Sequence, residues 1–192
     1  MLQFLKDADK FLFLKINGFH SPLLDEVMWQ LSESWHTYLI VVIAAFLIYK
    51  RYTLKKGIEF LLACALIISC CDVSSNFVKH QVKRYRPSHN FDIKSQVHIV
   101  NNYSGGQFGF FSGHAANITG LTVYMFLLFR QFKFKYFNVM FFYAALVCYS
   151  RIYLGVHYPL DIAFGILDGL IFGSVGFYLI NKFLFKLDEK KI

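Results

Sequence analysis

The residues with the clearest chemical potential lie in SRIYLGVHYPLD, positions 150–161, between two apolar runs. His157 and Asp161 are four residues apart, so on a helix they share a face. Pro159 suits the first turn of such a helix, where a missing N–H costs nothing. Asp161 can accept a hydrogen bond from one ring nitrogen of His157 and leave the other as a nucleophile. Arg151 adds a planar fork of donors matched to a phosphate. Alone, this pattern also describes polar residues at an interfacial helix break, but two further clusters accompany it. KHQVKRYRP at 79–87 supplies Lys79 and Arg86, and FSGH at 111–114 supplies His114 behind Ser112 and Gly113. A phosphoryl group in transit needs its oxygen charges neutralised and a nucleophile in line with the leaving oxygen. Lys79, Arg86 and Arg151 can supply the charge. Ser112 and Gly113 open an apolar run, and backbone N–H groups at a helix start hold phosphate oxygens. Ser112 also fits a plain helix N-cap.

These clusters need a scaffold, and the composition indicates which kind. The chain has 192 residues, 56% hydrophobic and 19% aromatic, with 23 Phe and a net charge of +8. That length fits one domain, residues 1–192. A mean hydropathy of +0.44 and the apolar runs predict an all-α, polytopic transmembrane bundle of about five to six spans with an interfacial N-terminal helix. Five spans are placed at residues 35–49, 57–78, 113–129, 136–149 with flanks, and within 160–185. Residues 1–15 alternate apolar positions with Lys6, Asp7, Asp9 and Lys10, which suits a helix lying in the interface. Asn17-Gly18 and Ser21-Pro22 end it, and 22–31 is a second short helix. Trp29 and Trp35 bracket the first span as an interfacial belt would.

With five spans, three basic groups share one side: Lys50, Arg51, Lys55 and Lys56; Arg130, Lys133 and Lys135; Lys182, Lys186, Lys190 and Lys191. The positive-inside rule makes that side cytoplasmic. The three chemical clusters then meet on the opposite face. Their loop breaks the charge rule with Lys79, Lys83, Arg84, Arg86 and Lys94, which fits an anion-binding role.

Other classes are less well supported. No aromatic-basic platform or reading helix points to nucleic acid. The cations around His157 and Asp161 repel a metal ion, and no H-E-x-x-H or Cys–His pattern occurs, so neither metal nor cofactor is expected. Cys64, Cys70, Cys71 and Cys148 lie in apolar runs and read as buried thiols. No small-residue cleavage site follows the first apolar stretch, so no cleavable signal peptide is expected. His20, His36, His80, His89 and His98 belong to no motif. Asp72 and Asp168 fall within spans, where a carboxylate is a functional suspect; hydrogen bonding to Asn117, Thr119 or Thr122 is the structural alternative. Gly165, Gly169 and Gly173 form a G-x3-G-x3-G stripe suited to close helix packing.

In this order, K-x6-R-P, F-S-G-H and S-R-x5-H-x3-D resemble the three-part signature of the type 2 phosphatidic acid phosphatases. These are integral-membrane enzymes related to the vanadium haloperoxidases. The first and third motifs match in full, and the second has Phe111 where the family usually has Pro. The resemblance covers 79–161. It implies that His157 attacks phosphorus to form a phosphohistidine and that Asp161 orients it. It also implies that His114 protonates the leaving oxygen and then activates water, while Lys79, Arg86, Ser112, Gly113 and Arg151 bind the phosphate. The implied enzyme is a metal-independent lipid phosphatase whose lipid phosphate monoester or pyrophosphate enters from the bilayer. Its site would face the periplasm from a bacterial inner membrane. Lys83 and Arg84, with Lys94 and His98 in a loop at 88–111 that could close over a headgroup, favour a polyanionic lipid. Undecaprenyl pyrophosphate ranks first, lipid A phosphate next, and phosphatidic acid with phosphatidylglycerophosphate third. A soluble haloperoxidase, a transporter and a non-catalytic lipid-phosphate binder are the rivals; the last should lack one of His114, His157 and Asp161, and all are present.

Overall fold

The computed structural model describes residues 2–134 and 137–183. Seven α-helices follow one another among them: α1 (Leu2–Asn17), α2 (Pro22–Ser32), α3 (Ser34–Arg51), α4 (Leu54–Val82), α5 (Gly113–Gln131), α6 (Val139–Tyr153) and α7 (Pro159–Phe183). Lys135, Tyr136, Phe185, Lys186, Lys190, Lys191 and the side chain of Lys182 lie outside the described residues.

Helix starts follow local chemistry. Ser21, Thr53 and Ser112 each precede a helix, and each hydroxyl accepts the amide three residues on at 3.3 Å. Such caps satisfy N–H groups that have no intrahelical acceptor. Proline opens α2 and α7, where its missing donor is harmless. α2 and α3 meet at Glu33 with a bend of 48°.

α5 lies at the centre and packs against α4, α6 and α7, most extensively α7. The glycine stripe makes this possible. A Cβ on Gly165 would stand 2.5 Å from the Ser112 carbonyl oxygen, and one on Gly173 equally close to that of Gly120. At Gly169 it would collide with the Ala116 carbonyl. The side-chain-free face of α7 thus lets the two backbones approach and draws the start of α7 to the start of α5. One core cluster joins α3, α4 and α5 through Ile48, Phe60, Tyr124 and Phe129. A second joins α1 to α5, α6 and α7 through Phe13, Ile118, Cys148 and Ile162. Cys64, Cys71 and Cys148 are buried free thiols, and Cys70 is half-buried.

The five expected spans coincide with α3 to α7, but the helices differ in how they fit a bilayer. By length and apolarity α4 and α7 each suffice to cross a membrane, and the bent α2–α3 pair together makes a third candidate. Their outer faces carry exposed Leu, Val, Ile and Phe such as Val42, Leu66 and Ile171, a surface that suits lipid rather than water. α5 reaches about 28 Å at 1.5 Å per residue, and α6 about 22 Å. α5 is enclosed by its neighbours, so its polar Asn117, Thr119 and Thr122 face protein and lower its hydropathy. The chain is an all-α integral membrane protein.

Between α4 and α5 the chain forms 3-10 turns at Pro87–His89 and Lys94–Gln96, with a bridge between Tyr85 and Phe108. It is tied down by Ser88 N–H to the Gly155 carbonyl at 3.2 Å and by His98 N–H to Asn17 Oδ1 at 2.8 Å.

Candidate active site

The ends of α4 and α6 and the starts of α5 and α7 meet on one face of the bundle, and the three sequence clusters meet with them. α6 stops after Tyr153, and Gly155 turns the chain with φ +77°, a conformation that favours glycine. His157 follows in this turn, ahead of the helix rather than on it, and its amide donates to the Arg151 carbonyl at 3.2 Å. His157 and Asp161 are 2% and 0% exposed. Nδ1 of His157 lies 3.6 Å from Asp161 Oδ2. That is just beyond hydrogen-bond range, where the sequence led us to expect a hydrogen bond; Oδ2 accepts from the Tyr158 amide at 2.9 Å. Burial, then the charges of Arg86, Arg151 and Lys79, hold His157 well below the usual histidine range. At neutral pH its imidazole is therefore uncharged.

The cations come from three elements. Lys79, in the last turn of α4, donates to Ser75 Oγ at 3.4 Å, and a Cβ on Gly113 would stand 3.5 Å from its Nζ. Arg86 donates through Nε to the Phe108 carbonyl at 3.1 Å. Its Nη1 packs against Gly105, whose φ of +65° leaves no room for a side chain. Arg151 donates through Nη2 to the Tyr103 hydroxyl at 3.1 Å. Arg86 Nη1 and Arg151 Nε are buried donors without a protein acceptor among the described residues. Burial pushes the Tyr103 phenol up, but Arg151 and Arg86 more than offset it, so it lies below its ordinary value.

Ser112 fills the N-cap role considered from sequence. Its hydroxyl caps α5, and its amide donates to the Asp161 carbonyl at 3.0 Å, which ties the start of α5 to α7. That leaves Gly113 and His114 as the first-turn amides without a helical acceptor. His114 is half-buried, within electrostatic reach of Arg151, His157, Arg86 and Lys79. It lines a cavity of about 240 Å³ with Arg151, Tyr103, Trp29 and Glu33. A narrower one of about 60 Å³, lined by Tyr38, Ile68 and Leu121 among others, runs from His114 between α3 and α5. Both open at the α2–α3 bend.

Some residues fall elsewhere than their sequence context indicated. Arg84, expected to meet a headgroup, has both amino groups on carboxylates: Nη1 on Asp161 at 2.7 Å and Nη2 on Asp9 at 2.5 Å. Asp9, assigned to a merely interfacial helix, is buried. Its four-residue spacing with buried Phe13 and Asn17 was the available signal. Tyr103 sits in an aperiodic loop and gave none. His98 bonds Asp25 at 2.9 Å and stacks on His20 at 3.7 Å, while Lys94 lies over Phe91 at 4.6 Å, so neither closes over the site. Lys83 lines a separate open cavity with Lys6 and Lys10. Asp72 accepts from Asn117 at 2.8 Å, as the structural alternative required, and Asp168 accepts from Ser74 at 2.8 Å instead of a threonine. No group of three or more His, Cys, Asp or Glu among the described residues is placed to hold a metal ion.

Residues 56–185 match the family model of the PAP2 superfamily. The lipid A 4'-phosphatase of Porphyromonas gingivalis is 41% identical over 175 residues, covering 90% of this chain and 72% of that protein. The lipid A 4'-phosphatase of Bacteroides thetaiotaomicron is 34% identical over 191 residues, covering 98% and 84%. The undecaprenyl-diphosphatase of Sulfolobus acidocaldarius is 29% identical over 158 residues, covering 82% and 71%. Among solved structures, the PAP2-type phosphatidylglycerolphosphate phosphatase of Bacillus subtilis superposes with a TM-score of 0.70 at 23% identity, over 97% of this chain and 89% of that one. With the family model spanning most of the chain and such relatives aligning along nearly all of it, the chain belongs to the PAP2 superfamily.

Proposed function

We propose that this membrane lipid phosphatase removes the 4'-phosphate of lipid A through a phosphohistidine on His157. The observation that carries the chemistry is the pair of buried donors without protein acceptors, Arg86 Nη1 and Arg151 Nε, converging with Lys79 on two histidines. Donors fixed in a water-poor site stabilise charge on a transferring phosphoryl group without reorganising. Nδ1 of His157 faces Asp161, so Nε2 is the attacking atom. The N–P bond forms as the P–O bond to the lipid breaks, and His114, which carries a proton when the negative phosphate is bound beside it, gives that proton to the departing oxygen. Water then attacks phosphorus, His114 takes its proton, and inorganic phosphate leaves with His157 restored. Ser112 holds the start of α5 in place, and the amides of Gly113 and His114 face the phosphate oxygens.

Two lipid A 4'-phosphatases among the relatives support the substrate. A substrate would reach His114 through the cavities that open at the α2–α3 bend. The basic ends of α3 and α5 and the start of α4, with Lys50, Arg51, Lys55, Lys56 and Arg130, lie at the opposite end of the bundle from the site. By the positive-inside rule that supports a periplasmic active site on an inner-membrane protein. A second reading, undecaprenyl diphosphate, is favoured by the relative from Sulfolobus acidocaldarius. The test is phosphate release by the purified chain from lipid A, undecaprenyl diphosphate and phosphatidic acid in one detergent. The highest kcat/KM is expected for lipid A. A higher value for undecaprenyl diphosphate would replace the substrate, and no release from any of them would refute the reading.

A further inference from the structure

Asp9 takes no part in the chemistry above, yet it is 4% exposed and its two oxygens have separate partners. Oδ1 accepts the N–H of Leu160, in the first turn of α7, at 2.9 Å. Oδ2 accepts from Nη2 of Arg84 at 2.5 Å. Arg84 turns its other amino group to Oδ1 of Asp161 at 2.7 Å, and its guanidinium carbon lies 4.1 Å from the centre of the Tyr158 ring. The remaining oxygen of Asp161 is the one that faces His157. One guanidinium therefore joins two buried carboxylates, and its rigid fork fixes how they sit relative to each other.

Building on the phosphohistidine reading, we infer that Asp9 and Arg84 are positioning residues for the His157–Asp161 pair. Asp9 holds α7 at two points, the backbone of Leu160 directly and the carboxylate of Asp161 through Arg84. With Oδ1 of Asp161 pinned, the carboxylate cannot rotate away, and Oδ2 stays beside Nδ1 of the nucleophile, 3.6 Å from it. Charge supports the same assignment. When Nε2 of neutral His157 bonds to phosphorus, the ring becomes cationic, and Asp161 must balance it. Arg84 alone would cancel the charge of Asp161. With both carboxylates ionised, Asp9 shares Arg84 and the three groups carry one net negative charge beside the imidazolium. Through Asp9, the N-terminal helix is thereby part of the active-site support.

Vanadate bound to the nucleophile mimics the five-coordinate phosphoryl centre, whereas inorganic phosphate reports ground-state binding to Lys79, Arg86 and Arg151; transition-state mimics are the more sensitive to catalytic positioning. The experiment measures both affinities, with kcat and KM on lipid A, for the full chain and its Asp9→Asn variant. Asparagine keeps an oxygen for Leu160 and removes the charge on Arg84. Asp9→Asn is expected to weaken vanadate at least tenfold and lower kcat at least tenfold, with phosphate affinity and KM within threefold of wild type. Asp9→Glu, which restores the charge, should regain most of the vanadate affinity. Vanadate binding by Asp9→Asn within twofold of wild type would overturn the inference, as would equal weakening of vanadate and phosphate. Should Asp9→Asn fail to fold, Arg84→Lys, which keeps the charge but lacks a fork for two carboxylates, must show the same split. A wild-type chain that binds both anions yet cleaves no lipid A would refute the substrate alone, since the anion affinities test the positioning without it.

Discussion

Arg84 and Arg86 stand two residues apart, and the molecule uses them oppositely. α4 ends at Val82, Lys83 turns the chain with φ 49°, and the backbone then pairs at Tyr85 with Phe108. In extended chain, alternate residues share a face, so both arginines point inward while Tyr85 on the other face is 39% exposed. Arg84 ends between two carboxylates. Arg86 keeps a buried donor without a protein acceptor. What a cation does in this site follows from its partners, not from its place in a motif. A paired arginine organises the protein, whereas a buried donor without a partner among the described residues is, in the proposed mechanism, held for an anion.

The largest expected effect tests that contrast directly. Arg86→Ala should lower kcat/KM by about 10²–10³, the scale of one lost transition-state donor, with little change in thermal stability. Arg84→Ala should lower kcat through its positioning role and, unlike Arg86→Ala, also destabilise the fold by about 3–5 kcal/mol, because it leaves buried Asp9 and Asp161 without their counter-charge. Phosphate release and thermal denaturation of the two variants check this, and the reverse assignment of losses would break the comparison. Next in size, Gly169→Val should cost about 1–3 kcal/mol by overpacking the α5–α7 contact. It should also lower activity by parting His114 from His157, as a melting curve and an assay on one preparation would show.

The pH dependence sharpens the role of the unpaired cations. His157 is held below its ordinary value of 6.5 by burial first and then by Arg86, Arg151 and Lys79. A lowered pKa keeps the ring neutral until the pH falls to the depressed value. The acid limb of kcat/KM, which reports the free enzyme, should therefore lie below pH 6.5. Removing a nearby positive charge with Arg86→Ala should move that limb to higher pH, and a profile that moves the other way would count against the assignment. The smallest effect belongs to Lys83, which the sequence nominated for headgroup discrimination. It is an exposed lysine in a separate open cavity. Lys83→Ala should change kcat/KM less than about twofold for any lipid, in keeping with the modest effects of surface substitutions.

Much of this was legible in the sequence, for physical reasons. Apolar runs of helical length must bury or face lipid, and α3 to α7 lie where those runs do. Spaced His, Arg and Lys at the run ends have few uses on one membrane face, and Lys79, Arg86, His114, Arg151 and His157 do lie together. Contacts across long chain separations were not legible. Arg84 reads as ligand-facing because its partner Asp9 is 75 residues away on a helix that looks merely amphipathic. The His157–Asp161 spacing suggested a shared helical face, but Pro159 starts the helix after His157, and a glycine turn supplies the geometry instead. Tyr103 meets Arg151 from a loop without periodicity, where no sequence rule specifies contacts.

The central claim is the covalent intermediate. A rapid-quench single turnover of lipid A labelled in its 4'-phosphate, stopped in alkali that preserves phosphohistidine, tests it most directly. The account predicts that labelled phosphate accumulates transiently on the protein at His157, that His114→Ala slows its decay, and that His157→Ala abolishes it. Turnover by the wild-type chain with no label on His157 at any time, or labelled protein that survives in His157→Ala, would contradict it.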